Sequence, residues 1–475
     1  MSAEGTPASG SVDGDQGGDL EVDVIVVGLG PGGEHLASTL AGEGLSVVGV
    51  DRRLVGGECP YFGCIPTKMM IRAAHTLAEA RRVEGLAGTA SVQPDWTVVA
   101  DRIRDEATDD WDDAVAVKRV EDAGVTFLRG TGRLDGARTV VVDTEDGERT
   151  VRARRGVVLN TGTEPAVPPV DGLADTPFWT NRDIVAVREL PASLVVMGGG
   201  PIGAEMAQAF ARFGVEVTVV EAGPRILGPE EPEASEVVAA AFEADGITVR
   251  AGVGIEKVAH DGSAFTLTLA DGSTLGAERL LVAAGRRPNL RGIGLDTVGV
   301  DETARSLDVD DHLRVVGADG LWAIGDITGK GAFTHMSMYQ ADVAIRDLTG
   351  QDGPWATYHA VSRATFTDPE VGSVGQTEKQ AREAGLTVGV GVAKLPESSR
   401  GWLHKAGNEG VIKLVADLDA GVLVGATTVG PSGGEILGML VTAIHARVPI
   451  ATLRTQHFAY PTFHRAIETA LGDIG

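Results

Sequence analysis

One unit of sequence occurs twice in this chain. Each copy runs strand, glycine-rich turn, helix, second strand and terminal acid. In the first copy the apolar run Val24-Ile25-Val26-Val27 predicts a short buried strand. It feeds Gly28-Leu29-Gly30-Pro31-Gly32-Gly33, a helical stretch to Leu40, and a second strand from Ser46 to Val50 that ends at Asp51. In this context Gly28 makes the tight turn, Gly30 admits a pyrophosphate to the backbone, and Gly33 lets helix pack on strand. The helix N-terminus favours the phosphate charge, and Asp51 can accept hydrogen bonds from a ribose. The second copy has the strand Leu194 to Met197, the loop Gly198-Gly199-Gly200-Pro201-Ile202-Gly203, a helix to Phe213, and a strand from Val215 to Val220 that ends at Glu221. The same interval separates Gly28 from Asp51 and Gly198 from Glu221. A lone glycine fingerprint is weak, because turns are rich in glycine anyway. Two copies in full context are specific for two dinucleotide sites.

Two such sites suggest a flavin and a nicotinamide, with the flavin as a two-electron hub between hydride donor and acceptor. Glu221 favours NADH, because a carboxylate suits two ribose hydroxyls and repels a 2′-phosphate. Arg225, four residues on, is a nearby base that would soften this preference. The alternative is a binding or sensor protein that carries cofactors without turnover.

The cysteine pair weighs against a mere carrier. Cys59 and Cys64, the only two cysteines, lie in Gly56-Gly57-Glu58-Cys59-Pro60-Tyr61-Phe62-Gly63-Cys64-Ile65-Pro66-Thr67-Lys68. Pro66 suits an early helical position, and a helical pattern follows from Thr67 to about Arg82. That sets Cys64 at a helix N-terminus, where the dipole favours thiolate, with Lys68 adding positive charge one turn on. Cys64 is therefore the candidate to face the flavin, and Cys59 the candidate to exchange with substrate. Two buried structural thiols remain the alternative. A metal site would need more ligands, and no His lies in this segment.

The chain has 475 residues, enough for about three domain-sized units. Its net charge of −26 argues against nucleic acid, anionic membrane surfaces and acidic macromolecular partners. No apolar run approaches the ~20 residues needed to span a bilayer. Residues 1–19 are rich in Gly, Ser and Asp and read as a disordered leader, not a secretory signal. A secreted disulfide scaffold would carry more cysteines, so a cytoplasmic location is expected.

Taken in order, these motifs resemble the class I pyridine nucleotide-disulfide oxidoreductases of the dihydrolipoamide dehydrogenase, glutathione reductase and mercuric reductase type. The resemblance extends over nearly the whole chain after Asp19. The FAD glycines and Asp51 come first, then Gly57 and the Cys59…Cys64-Ile65-Pro66-Thr67-Lys68 block. Thr161-Gly162-Thr163-Glu164-Pro165 resembles the strand that leaves the FAD domain, and Gly285-Arg286-Arg287-Pro288-Asn289 the return. Ala323-Ile324-Gly325-Asp326 is similar to the second flavin motif, whose Asp holds the ribityl chain. Phe366-Thr367-Asp368-Pro369-Glu370 resembles the start of a dimerisation domain.

The resemblance implies an α/β fold with two doubly wound dinucleotide-binding domains and a C-terminal α+β dimerisation domain. The expected boundaries are 20–165 and 288–355 for the FAD-binding parts, 166–287 for the NAD(P)-binding domain and 356–475 for the interface domain. It also implies FAD and NAD(P)H as cofactors, a homodimer whose active site is completed by the partner's C-terminal segment, and a small-molecule electron acceptor. Lys68 and Glu205 would form an ion pair beside the flavin.

One departure bears on the acceptor. Relatives that reduce disulfides usually end in a His-Pro-Thr-x-x-Glu pattern whose His acts as general acid. Here Tyr460-Pro461-Thr462-Phe463-His464-Arg465 puts Tyr460 at the His position and Arg465 at the Glu position. Three explanations are open. His464 or His457 takes over, His464 lying four residues on and so one turn away if both share a helix. Alternatively, the acceptor is not a disulfide, since mercuric reductases and soluble transhydrogenases resemble this chain in carrying a Tyr here. Or the enzyme is a slow member with a specialised substrate. The intact cysteine pair counts against a transhydrogenase. The ending Leu471-Gly472-Asp473-Ile474-Gly475 lacks the terminal cysteine pair that the mercuric resemblance would carry. A quinone, metal-ion or nicotinamide reductase and a non-catalytic flavoprotein subunit are the further readings.

Overall fold

The computed structural model describes residues 19–475. The leader expected over residues 1–19 lies, but for Asp19, outside them. The valine-rich segments build a central sheet whose strand order is Val125–Arg129, Val47–Asp51, Leu20–Val27, Gly147–Leu159, Thr139–Thr144 and Thr131–Leu134. The first four pair in parallel, and the last two continue as an antiparallel meander. A strand from far down the chain, Leu321–Ala323, also pairs in parallel with Gly147–Leu159. Val24, Ile25 and Val26 are fully buried, as parallel strands covered on both faces require.

The second glycine unit heads its own parallel sheet, in the order Thr248–Ala251, Glu216–Glu221, Ser193–Met197 and Arg279–Val282. A three-stranded antiparallel sheet, Ile255–His260 to Phe265–Leu269 to Thr274–Ala277, packs over it and shares its core through Leu267 and Leu280. The chain leaves the first sheet along Thr163–Pro165 and returns along Arg286–Pro288. These two passes pair with each other as an antiparallel ribbon. The last third forms a five-stranded antiparallel sheet, Ser362–Thr365, Glu370–Gly375, Val422–Gly430, Val411–Asp417 and Val388–Lys394. The helices Gly433–His445 and Arg465–Asp473 cover it with Leu437, Leu440, Ile467 and Leu471. The architecture is thus two doubly wound α/β units and an α+β unit.

Local chemistry explains the two glycine turns. Gly28 and Gly198 have φ of 96° and 109°, and a Cβ on either would meet a carbonyl oxygen, of Asn160 at 2.3 Å and of Ala283 at 2.4 Å. Each following helix, Pro31–Gly42 and Pro201–Arg212, starts with Pro, whose missing N–H costs nothing in a first turn. Among the described residues no helix is long and apolar enough to cross a membrane.

A cofactor cavity with a cysteine pair

Both glycine turns, the cysteine pair and the crossover ribbon open onto one cavity of about 1580 Å³. That exceeds the ~300–1000 Å³ of an ordinary small-ligand pocket. Gly28, Gly30, Asp51, Gly57, Thr161, Gly162 and Asp326 line it from the first sheet's side. Gly198, Gly200, Glu221, Gly285 and Arg286 line it from the second. Gly33, Gly203 and Gly325 stand behind the wall. A Cβ on Gly33 would meet the Gly28 carbonyl oxygen at 2.1 Å, and one on Gly203 the Gly198 oxygen at 2.0 Å. Gly200 has open space where a Cβ would point. Bare backbone at both turns, each at a helix N-terminus, fits the pyrophosphates of FAD and of a nicotinamide coenzyme.

The two acids behave alike. Asp51 accepts from Leu29 N at 2.8 Å and Arg53 N at 2.8 Å. Glu221 accepts from Gly199 N at 2.7 Å and Gly223 N at 2.6 Å. Each carboxylate is fixed by backbone donors at the end of its strand while it lines the cavity. Burial raises the Asp51 pKa, against those hydrogen bonds. Arg225 donates instead to the carbonyls of Gly228 and Glu230, both at 2.9 Å, and does not line the cavity.

Between the two turns lies the cysteine segment. Cys59 sits in a five-residue helix, Glu58–Phe62, and Cys64 opens the helix Cys64–Arg81. That helix begins three residues before the expected Thr67, because the Gly63 carbonyl already accepts from Thr67 N at 3.1 Å and Thr67 Oγ1 at 2.8 Å. Both thiols are free and half-buried. The Cys64 Sγ lies 3.5 Å from Thr334 Oγ1. The hydrogen bond from the Cys59 thiol, assisted by Thr334 and the Lys68 charge, lowers the Cys64 pKa to about 6 despite burial. The same shared proton raises that of Cys59. Lys68 Nζ is 2.7 Å from Glu205 Oε2 and 4.7 Å from the Phe366 ring centre. The other Glu205 oxygen accepts from Phe366 N at 2.8 Å.

Further along the wall, Asp326 accepts from Thr163 Oγ1 at 2.7 Å, and that hydroxyl accepts from Arg286 Nε at 2.7 Å. Thr161 and Asn289 exchange hydrogen bonds across the ribbon. Thr334 and Asn181 were not singled out by sequence reasoning, and Phe366 and Glu58 stood in motifs without a role at this site. Each acts through a partner more than a hundred residues away, which no local pattern reveals.

The sequence matches the family described as pyridine nucleotide-disulphide oxidoreductase over residues 22–347, and the dimerisation domain of that family over residues 361–471. The chain belongs to the pyridine nucleotide-disulphide oxidoreductases. It is 34% identical to a mercuric reductase of Shigella flexneri, over 93% of this chain and 79% of that one. It is 33% identical to a dihydrolipoyl dehydrogenase of Chlorobaculum tepidum, over 95% of this chain and 97% of that one. Among solved structures, LpdA of Mycobacterium tuberculosis superposes with a TM-score of 0.84 at 25% identity, covering 95% of this chain and 99% of that one. The HOCl-induced flavoprotein disulfide reductase RclA of Escherichia coli, in its Cu(II) complex, superposes with a TM-score of 0.82, again at 25% identity and the same coverage. As a member of this family the protein is a homodimeric flavoenzyme that uses FAD and NAD(P)H.

The C-terminal residues stand apart. Tyr460, His457 and His464 do not line the cavity of their own protomer. Tyr460 is 67% exposed, with the Arg465 guanidinium 5.4 Å from its ring centre. The expected helical spacing of Tyr460 and His464 does not hold. Tyr460 sits in a turn and the helix starts only at Arg465, because the turn closes through Thr462 Oγ1 to the Ala459 carbonyl.

Proposed function

We propose that this flavoenzyme passes electrons from NADH through FAD to the Cys59–Cys64 pair and on to a small-molecule acceptor, and that it is not a typical lipoamide or glutathione reductase. The observation that carries the route is Cys64 at a helix start inside the cofactor cavity, between Thr334 and Lys68. When bound, FAD supplies a two-electron relay between the nicotinamide and the disulfide. One hydride equivalent splits the Cys59–Cys64 bond into a Cys59 thiol and a Cys64 thiolate. The helix terminus and Lys68 favour that thiolate. Glu205, tied to Phe366, holds Lys68 in place.

The acceptor half of the proposal rests on Tyr460 and Arg465, contributed across the dimer by the partner's C-terminal segment. A disulfide acceptor leaves a thiolate that needs a proton near neutral pH. A His, of ordinary pKa ~6.5, supplies and recovers one readily, whereas a Tyr, at ~10, is a poor base for the return step. Arg465 stacks on Tyr460 and cannot balance an imidazolium as a Glu would. These residues suit an acceptor that needs no thiolate protonation, or an anionic one. A metal ion or quinone acceptor is the second reading, favoured by Tyr460 and by the identity to mercuric reductases.

Anaerobic NADH titration followed by lipoamide, low-molecular-weight disulfides, quinones and Hg(II) tests both halves. The expected outcome is fast flavin reduction with slow lipoamide and glutathione disulfide turnover, by the ~10²–10⁴-fold that positioned acid–base help contributes. Fast lipoamide turnover would overturn the acceptor half and point to His464 or His457 as the acid. In the double variant Tyr460→His, Arg465→Glu, lipoamide turnover should rise while flavin reduction by NADH stays unchanged.

A further inference from the structure

The short helix Glu58–Phe62 fills the space between the two cysteines, and its two ends are tied to the same foreign residue. Asn181 Nδ2 donates to Glu58 Oε2 at 3.1 Å and to the Phe62 carbonyl at 2.9 Å. Asn181 is 6% exposed and opens the helix Asn181–Ile184, which Thr180 and Asp183 close with a capping box. Its neighbour Arg182 donates from Nε to Glu58 Oε1 at 2.7 Å. From the return strand of the ribbon, Arg286 Nη2 reaches Glu58 Oε2 at 3.3 Å and the Thr163 carbonyl at 2.8 Å. The Glu58 carboxylate is thus held by three side chains that enter through the second glycine unit and its ribbon. None of these contacts is used by the electron route above.

We infer that Asn181 and Glu58 are positioning residues that clamp the cysteine loop, fixing the placement of Cys59 and Cys64 from the nicotinamide side of the molecule. The reasoning is geometric. A loop of four residues between two redox sulfurs has to open and close a covalent bond without letting its ends drift. The backbone of a single helical turn is a weak constraint, since a nucleus this short is not stable alone. Tying the residue before Cys59 and the carbonyl just before Gly63-Cys64 to one buried amide converts that turn into a rigid spacer. The inference rests on the reading of Cys64 as the thiolate beside the flavin.

The test uses the full-length, flavin-loaded dimer with Asn181→Ala and, separately, Glu58→Gln. Two readouts follow anaerobic two-electron reduction: the long-wavelength absorbance of a thiolate beside oxidised flavin, and the iodoacetamide alkylation rate at Cys59, assigned by mass spectrometry. In Asn181→Ala the absorbance should fall and Cys59 alkylation should rise about tenfold, the factor that corresponds to ~1.4 kcal/mol. Losing a buried hydrogen-bond partner costs on this order. Glu58→Gln should change both readouts in the same direction but less, because a neutral amide still accepts from Asn181 while losing the ion pairs to Arg182 and Arg286. Flavin content should match the parent, and the melting temperature should stay within a few degrees of it. Parental absorbance and alkylation in both variants would overturn the clamp, and should Asn181→Ala not fold, Glu58→Gln alone decides. A long-wavelength band that survives Cys64→Ser overturns the electron route instead, and so separates the two claims.

Discussion

Cys64 owes its acidity to three neighbours, two in its own segment and one, Thr334, from far down the chain. The Cys59 thiol shares its proton, Thr334 donates a hydroxyl, and Lys68 adds charge. Its folded pKa lies below the ordinary thiol value, so thiolate is the dominant form above about pH 6 and is lost as pH falls through it. The long-wavelength band of the two-electron-reduced protein should therefore persist from pH 8 down to about 6 and fade below it. A spectral pH titration checks this, and Thr334→Val should move the midpoint upward. Coenzyme preference is a second prediction at this scale. Glu221 is fixed by two backbone donors and lines the cavity, whereas Arg225 is tied to carbonyls and does not. We expect kcat/KM to favour NADH over NADPH, and Glu221→Ala to narrow the gap. Equal values in the parent would refute the assignment. Residues that sit on motifs, such as Lys68 and Glu221, were legible in the sequence. The roles of Glu58, Asn181 and Thr334 were not, because they exist only once distant segments meet.

At the scale of elements, the repeated strand-turn-helix unit was the most legible part of the chain. Its valine runs, its helix-opening Pro and its closing acid are all local signals. The ends of elements were read less well. The first strand starts at Leu20 rather than Val24, because Leu20, Glu21 and Val22 already pair with Gly147–Leu159 although they carry no continuous apolar run. The C-terminal helix starts after His464, since a turn closed by a side-chain hydrogen bond is invisible to helical periodicity. The two units being built alike, the same substitution should have separable effects. Gly33→Ala would drive a methyl into the Gly28 carbonyl, and Gly203→Ala a methyl into the Gly198 carbonyl. The first should yield protein with little bound flavin. The second should retain flavin but bind NADH weakly, as read by absorbance of the purified protein and by stopped-flow flavin reduction. Loss of flavin in both would show that the two turns do not act independently.

Across the whole molecule, the three units are joined by buried charge as well as by chain. Lys413, on the five-stranded sheet, lies 3.0 Å from Glu231, 2.8 Å from Glu233 and 2.9 Å from Glu378. Lys413 and Glu231 are each 3% exposed, so the pair lies at a dry junction between the second unit and the third. Lys413→Met would leave Glu231 buried without its partner, a change that costs ~3–5 kcal/mol. A lower denaturation midpoint with unchanged flavin content is the expected result, and an unchanged midpoint would show that the junction contributes nothing to stability. No sequence pattern announced this cluster, since its members are ordinary charged residues until the fold gathers them. The paired strands Thr163–Pro165 and Arg286–Pro288 have a different kind of consequence. Entry and exit of the second unit lie side by side, with Pro288 opposite Thr163. The first sheet is therefore left and rejoined at a single place. A tight hairpin of two residues between Thr163 and Pro288 would suffice to close the gap. Any replacement for the second unit would fit that one doorway, but it would also have to bring its own counterparts of Asn181, Arg182 and Glu205 to the cysteine segment.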